Sequence, residues 1–314
     1  MISHDQEILR VQKNDGYLEG TYLKTDTTNQ NEHIVLIIPG SGPTDRDGNN
    51  PLGVCAATYK RLAEDLVKHG ISSLRIDKRG LYGSNSVIED PNNVVVNDYV
   101  EDIIDWINLI KKETCHKNIW ILGHSEGGLI ALKTALNLKA TLDGLILAAT
   151  AGVSFGQILR NQLEQNSSNL TITKDAFDII KQLENGQHVE MTPYDSSLQR
   201  LFAPVVQDYL IDLMSYEPTE LISEVNLPTL IIQGDQDIQV SLESAHNLKM
   251  AQPRSKLAIL NGVNHILKKP YAQKDKALTT RENLASYRDA KLEIAPDVIK
   301  EICKFITGQS RQKV

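Results

Sequence analysis

Aromatic residues make up only 5% of the 314-residue chain, and cysteine occurs three times. With so few aromatics, the core must be mainly aliphatic. Cys55, Cys115 and Cys303 are too scattered for a metal cage or a disulfide framework, and their odd number leaves one unpaired in any case. They are expected to be buried thiols that act as small apolar residues in a reduced, cytoplasmic setting. No run of lysine and arginine is present, and the net charge is −7. Nucleic acid and anionic lipid, which need a basic surface, are thereby excluded as expected partners. Long apolar runs are missing too. Stretches such as Leu145 to Ala149 fall far short of the roughly 20 residues that cross a bilayer. Met1 to Arg10 contains Asp5 and Glu7 and no apolar stretch after a basic start, so a secretory signal is not expected there.

What is present is an ordinary globular composition, 41% hydrophobic and 23% charged. The first residues contain three extended candidates, Glu7 to Val11, Tyr17 to Tyr22 and His33 to Ile38, which read as an opening antiparallel meander. The period then changes. Tyr59, Leu62, Leu66 and Val67 recur at helical spacing before a stop at Gly70. Ile71 to Ile76 reads as a buried strand, and Val100, Ile103, Ile104, Ile107 and Ile110 mark a second helix. Asn118 to Leu122, Gly127 to Leu138 and Leu142 to Ala149 continue as strand, helix and strand. Such alternation predicts an α/β fold with a mostly parallel sheet covered by helices on both faces.

Between Thr150 and Ser223 the strand signal disappears and helical stripes replace it, the last of which Pro204 should kink or split. The sheet resumes at Pro228 to Gln233. A helix around Ser241 to Met250, a strand at Lys256 to Leu260 and a closing helix from Pro296 to Ile306 follow. The expected organisation is a discontinuous catalytic core, residues 1–149 and 224–314, with a helical lid inserted at 150–223.

Gly123-His124-Ser125-Glu126-Gly127 follows a short apolar strand and opens a helix. A sharp strand-to-helix turn of this kind can hold a serine hydroxyl exposed at the edge of a sheet, with the amides of the helix start aimed at a developing negative charge. A nucleophilic Ser125 needs an acid and a base. The strand Leu230 to Gln233 ends in a glycine turn with two candidate acids, Asp235 and Asp237, and His265 directly follows the last strand. The other seven histidines, including His4 and His116, are expected to be exposed or structural.

With these motifs the chain resembles the α/β-hydrolase superfamily. In that superfamily the acid usually precedes two residues and a valine, which selects Asp237 and leaves Asp235 to cap the turn. Pro39-Gly40-Ser41-Gly42-Pro43 stands where the superfamily usually has His-Gly before an oxyanion-hole residue. The resemblance therefore implies backbone N–H groups of Ser41 and Glu126 as oxyanion donors, with proline replacing the common histidine. The continuation Thr44-Asp45-Arg46-Asp47-Gly48-Asn49-Asn50 resembles a loop of bacterial lid-bearing esterases. Its Asp-x-Asp-Gly fragment lacks the distal ligand spacing of a calcium loop, so no metal is expected, and Asp45, Arg46 and Asp47 should form a local network. Asp77-Lys78-Arg79-Gly80 and the residues up to Ser84 match a superfamily segment that looks structural.

The implied chemistry is cleavage of carboxylic esters by a serine esterase. Ser125 would act as nucleophile, His265 as base and Asp237 as orienting acid, through an acyl-enzyme and without metal or organic cofactor. An acyl-thioester hydrolase uses the same triad, and a non-catalytic ligand-binding protein could keep the same fold. Phe155, Phe177 and Phe202 in the lid either line an apolar pocket for a small-molecule ester or pack the lid against the core. No sequence feature indicates a homo-oligomer.

Overall fold

In a computed structural model, residues 6–25, 33–90, 92–137, 142–166, 169–272 and 278–310 are described. His4, expected to be exposed or structural, and Leu138, the expected end of one helix, lie outside them. The chain opens with β1 (Gln6–Gln12), β2 (Tyr17–Leu23) and β3 (His33–Ile38), then a short hairpin of β4 (Asn49–Asn50) and β5 (Val54–Cys55). Helix α1 (Thr58–Lys68), β6 (Ser72–Ile76), α2 (Val96–Glu113), β7 (Asn118–His124), α3 (Glu126–Asn137) and β8 (Gly144–Ala148) follow in alternation. Five helices come next: α4 (Phe155–Asn166), α5 (Leu170–Glu184), α6 (Ser196–Leu201), α7 (Pro204–Met214) and α8 (Pro218–Glu224). The chain then forms β9 (Thr229–Gly234), α9 (Leu242–Ala251), β10 (Lys256–Leu260), α10 (Thr280–Ser286) and α11 (Pro296–Ser310).

Eight strands form one sheet in the order β1-β2-β6-β3-β7-β8-β9-β10. From β6 to β10 every pairing is parallel, whereas β2 pairs antiparallel with both β1 and β6. This corrects the expected three-stranded meander: β3 does not join β2 but lies inside the sheet between β6 and β7. The reason is visible along β3. Ile34, Leu36 and Ile38 enter the core on one face, while Val35 and Ile37 enter the core on the other. A strand apolar on both faces belongs in the covered interior of a parallel sheet. The architecture is that of an α/β hydrolase, with α2, α3 and α9 contributing to the first core and α1 and α11 to the second.

The helices between β8 and β9 bury an apolar cluster of their own, made of residues such as Ile179, Ile180, Leu183, Leu198, Phe202 and Leu210. Pro204 does split the last stripe. It stands at the first position of α7, where its missing N–H costs no helical hydrogen bond. Among the described residues no helix is long and apolar enough to cross a membrane. The cysteines depart from expectation: Cys55 and Cys115 are exposed, and Cys303 is half-buried. Cys55 sits on the small β4–β5 hairpin outside the main sheet, and Cys115 follows the end of α2. Residue type alone could not reveal either position.

Candidate active site

Five side chains or amides singled out in the sequence converge at the carboxyl end of the sheet, beginning with Ser125 between β7 and α3. Ser125 has φ +54°, a left-handed conformation that L-residues adopt at a cost. The turn is held by the Ser125 N–H, which donates to Ala148 O at 2.9 Å, and by the Gly128 N–H, which donates to Ser125 O at 2.9 Å. Its flanking glycines are required sterically. A Cβ on Gly123 would come 2.3 Å from Gly127 O, and one on Gly127 would come 2.4 Å from Ile38 O. The amides of Ser41 and Glu126 make no hydrogen bond to a protein acceptor among the described residues, and both residues line a cavity with Ser125.

His265 and Asp237 meet as the sequence order suggests. Asp237 Oδ2 lies 2.9 Å from His265 Nδ1, and both side chains are almost fully buried. The other contacts of Asp237 explain its placement. Oδ1 accepts from the amides of Gln239 at 2.8 Å and Val240 at 2.9 Å, and Oδ2 also accepts from Gln233 Nε2 at 2.9 Å. Burial alone would raise this carboxyl, but His265 and the two amides outweigh it and hold the carboxyl below its ordinary value. Asp235 has a different task. Its Oδ1 accepts from Gly262 N–H at 2.7 Å, tying the end of β9 to the turn after β10. Gln233 was not signalled by the sequence, where it reads only as the last residue of a buried strand.

The His265 turn is anchored from below. Asn264 Nδ2 donates to Asn283 Oδ1 at 2.9 Å and to Ser286 Oγ at 2.8 Å, both on α10, an element without a recognisable period in the sequence. His124, inside the elbow, forms a second anchor. Its Nε2 lies 2.8 Å from the main-chain oxygen of His265 and its Nδ1 lies 2.9 Å from Tyr59 Oη. A carbonyl oxygen can only accept, so Nε2 carries the proton and Nδ1 accepts from Tyr59. Burial, reinforced by His265, pushes His124 down to about 3, so the ring stays neutral. Tyr59 Oη in turn accepts from Gly40 N–H at 2.9 Å.

The loop after Gly42 forms the expected network. Asp45 accepts from the amides of Asp47 at 2.9 Å and Asn49 at 2.7 Å. Arg46 bridges Asp77 and Glu19, and Asp47 pairs with buried Arg75. This network holds the loop that follows Ser41.

Two cavities of about 160 Å³ each meet at Ser125. Ser41, Ser125 and Gln239 line both. The first cavity is mostly apolar, with Leu129, Val153, Phe155, Ile158, Leu159 and Leu213 in its wall. The second is more polar, with Thr44, Asn50, Thr58, Tyr59 and His265 among its lining. Of the three phenylalanines, only Phe155 lines either of these cavities. Phe202 is instead fully buried in the apolar cluster of the inserted helices, and Phe177 lies half-buried on α5. A helical stripe shows that a face is covered but not what covers it. Among the described residues no group of acidic, histidine and cysteine side chains is arranged to hold a metal ion.

Comparison with known proteins agrees with this architecture. A family model described as serine aminopeptidase, S33, matches residues 52–268, well over half of the chain. Esterase EstD of Thermotoga maritima is 26% identical over 242 residues, which cover 74% of this chain but 54% of the relative, so the chain spans about half of that protein's length. A 2-hydroxymuconate semialdehyde hydrolase of Pseudomonas putida is 24% identical over 281 residues, covering 85% of this chain and 92% of the relative. Among solved structures, Est1E from Butyrivibrio proteoclasticus shares the fold, with a TM-score of 0.62 at 15% identity and coverage of 97% and 99% of the two chains.

Proposed function

We propose that this chain, which belongs to the family described as serine aminopeptidase, S33, hydrolyses carboxylic esters with Ser125 as nucleophile, His265 as base and Asp237 as orienting acid. The observation that carries the reading is the 2.9 Å contact of Asp237 Oδ2 with His265 Nδ1, on an imidazole that shares a cavity with Ser125. Bound at Nδ1, the imidazole turns Nε2 toward the site. There it takes the proton of Ser125 as Oγ attacks the ester carbonyl. The carbonyl oxygen becomes an oxyanion facing the amides of Ser41 and Glu126. Collapse breaks the ester bond, the proton passes from His265 to the departing alcohol, and the acyl group stays on Ser125. Water, deprotonated by His265, attacks the acyl carbon, and collapse breaks the bond to Ser125 Oγ, which takes the proton back from His265 as the acid leaves.

Because His265 must protonate the leaving group, the alcohol belongs on the side of the second, polar cavity, which His265 lines. The acyl chain belongs in the apolar cavity, which the inserted helices close with Phe155, Ile158, Leu159 and Leu213. The helices thus act as a lid over the acyl group. The family description points to peptides with a free amino terminus, and an ammonium there would need a carboxylate in the wall. Glu126 is the one carboxylate among the described residues lining the two cavities, and it is already paired with Lys78. An uncharged acyl group fits this wall better.

The test compares p-nitrophenyl esters with aminoacyl p-nitroanilides and acyl-CoA thioesters. Ester turnover that exceeds both others supports the reading. Faster anilide cleavage would return the chain to aminopeptidase chemistry, faster thioester cleavage would change the leaving group, and ligand affinity without turnover would leave a binding protein.

A further inference from the structure

Both main-chain polar groups of Gly40 are held by buried side chains. Its N–H donates to Tyr59 Oη at 2.9 Å, and its carbonyl oxygen accepts from Lys78 Nζ at 2.9 Å. The carbonyl of Gly40 and the N–H of Ser41 belong to one planar trans peptide unit, so they point in opposite directions. Fixing the oxygen therefore fixes the direction of the Ser41 N–H. The same ammonium lies 3.4 Å from Oε1 of Glu126, the residue that carries the second free amide. The Lys78 side chain is 4% exposed and the Glu126 side chain 6%. The ammonium also lies 5.3 Å from the centre of the Tyr99 ring. A buried ion pair is a poor way to stabilise a core, because desolvation offsets most of the attraction. Its position, on the carbonyl of the peptide whose N–H belongs to Ser41 and on the side chain of Glu126, gives it another use.

We propose that Lys78 is a positioning residue of the oxyanion site, an inference that rests on reading the Ser41 and Glu126 amides as oxyanion donors. Its ammonium locks the Gly40–Ser41 peptide plane and, through the Glu126 carboxylate, ties that loop to the start of α3. A charged donor on the Gly40 carbonyl also polarises the peptide and strengthens its N–H as a donor. Both effects act most where the substrate oxygen carries full negative charge, in the transition state rather than the bound ester.

The experiment measures kcat and KM on a p-nitrophenyl ester for wild type, Lys78→Met and Lys78→Arg. It also measures affinity for a trifluoromethyl ketone and for the free acid of the same acyl chain. The ketone forms a tetrahedral adduct with an oxyanion, and the acid does not. Lys78→Met should lower kcat and ketone affinity together by roughly 10- to 100-fold, less than outright loss of a donor, while KM and acid affinity stay within about twofold. Lys78→Arg, which can donate to the same carbonyl, should restore most of both. A folded Lys78→Met with unchanged kcat would overturn the proposal, as would equal losses of ketone and acid binding. If that variant does not fold, Glu126→Gln keeps both amides and removes the carboxylate that holds the ammonium. It should show the same split at a smaller factor, and a loss confined to KM would count against the proposal. A wild-type protein that neither turns over esters nor binds the ketone would instead overturn the esterase reading.

Discussion

The elbow residue His124 donates from Nε2 to the main-chain oxygen of His265 at 2.8 Å, so the strand end that precedes Ser125 also holds the loop that carries His265. Through Tyr59 the same ring reaches Gly40, next to Ser41. One neutral imidazole therefore joins three segments of the site. His124→Phe should leave the Tyr59 hydroxyl and the His265 carbonyl without their partner and cost about 1–3 kcal/mol in urea unfolding.

That neutrality has a pH signature. His124 is held at about 3 in the fold, below the unfolded value of about 6.5, so between these limits the unfolded state binds the extra proton. Its contribution to stability is complete above about pH 6.5 and is lost as pH falls toward 3. The difference in unfolding free energy between wild type and His124→Phe should shrink across this range. A difference independent of pH would contradict the assigned protonation.

Asp237→Asn replaces an acceptor with an amide that can present a donor to His265 Nδ1 and so favour the wrong tautomer. A fall in kcat of about 10³–10⁴ is expected. Asp235→Asn keeps an acceptor for Gly262 N–H and should stay within a few-fold of wild type. Steady-state kinetics on one ester distinguish the two aspartates.

Arg46→Met would take from Asp77, which is 1% exposed and held by Arg46 at 2.7 Å, its charged partner and leave it the amides of residue 46 and Gly83. Removing one partner of a buried pair costs about 3–5 kcal/mol, and the loss should appear as a lowered urea midpoint.

Ile158→Trp adds bulk to the wall of the apolar cavity from a half-buried position. kcat/KM should fall for long acyl esters and change little for the acetate. An equal loss for all chain lengths would place the acyl group elsewhere.

Much of the fold was legible because its periods are strong. The limits of β3 and β10 match the sequence reading, and α1, α2, β7 and α9 lie within a few residues of it. The location of β3 was not legible, because a run apolar on both faces does not name its neighbours. At the site, Ser125, His265 and Asp237 stood in a recognisable order. Tyr59, Gln233 and Asn264 did not stand out, because each serves through one or two hydrogen bonds formed only after distant segments meet. The same holds for Lys78, which reads as one charge in a structural segment until Gly40 and Glu126 are brought to it.

Whether Ser125 is the nucleophile is decided by mapping a fluorophosphonate adduct by mass spectrometry. A single adduct on Ser125 is expected, absent from Ser125→Ala and much slower to form in His265→Ala. An adduct on another residue, or labelling that persists in Ser125→Ala, would contradict it.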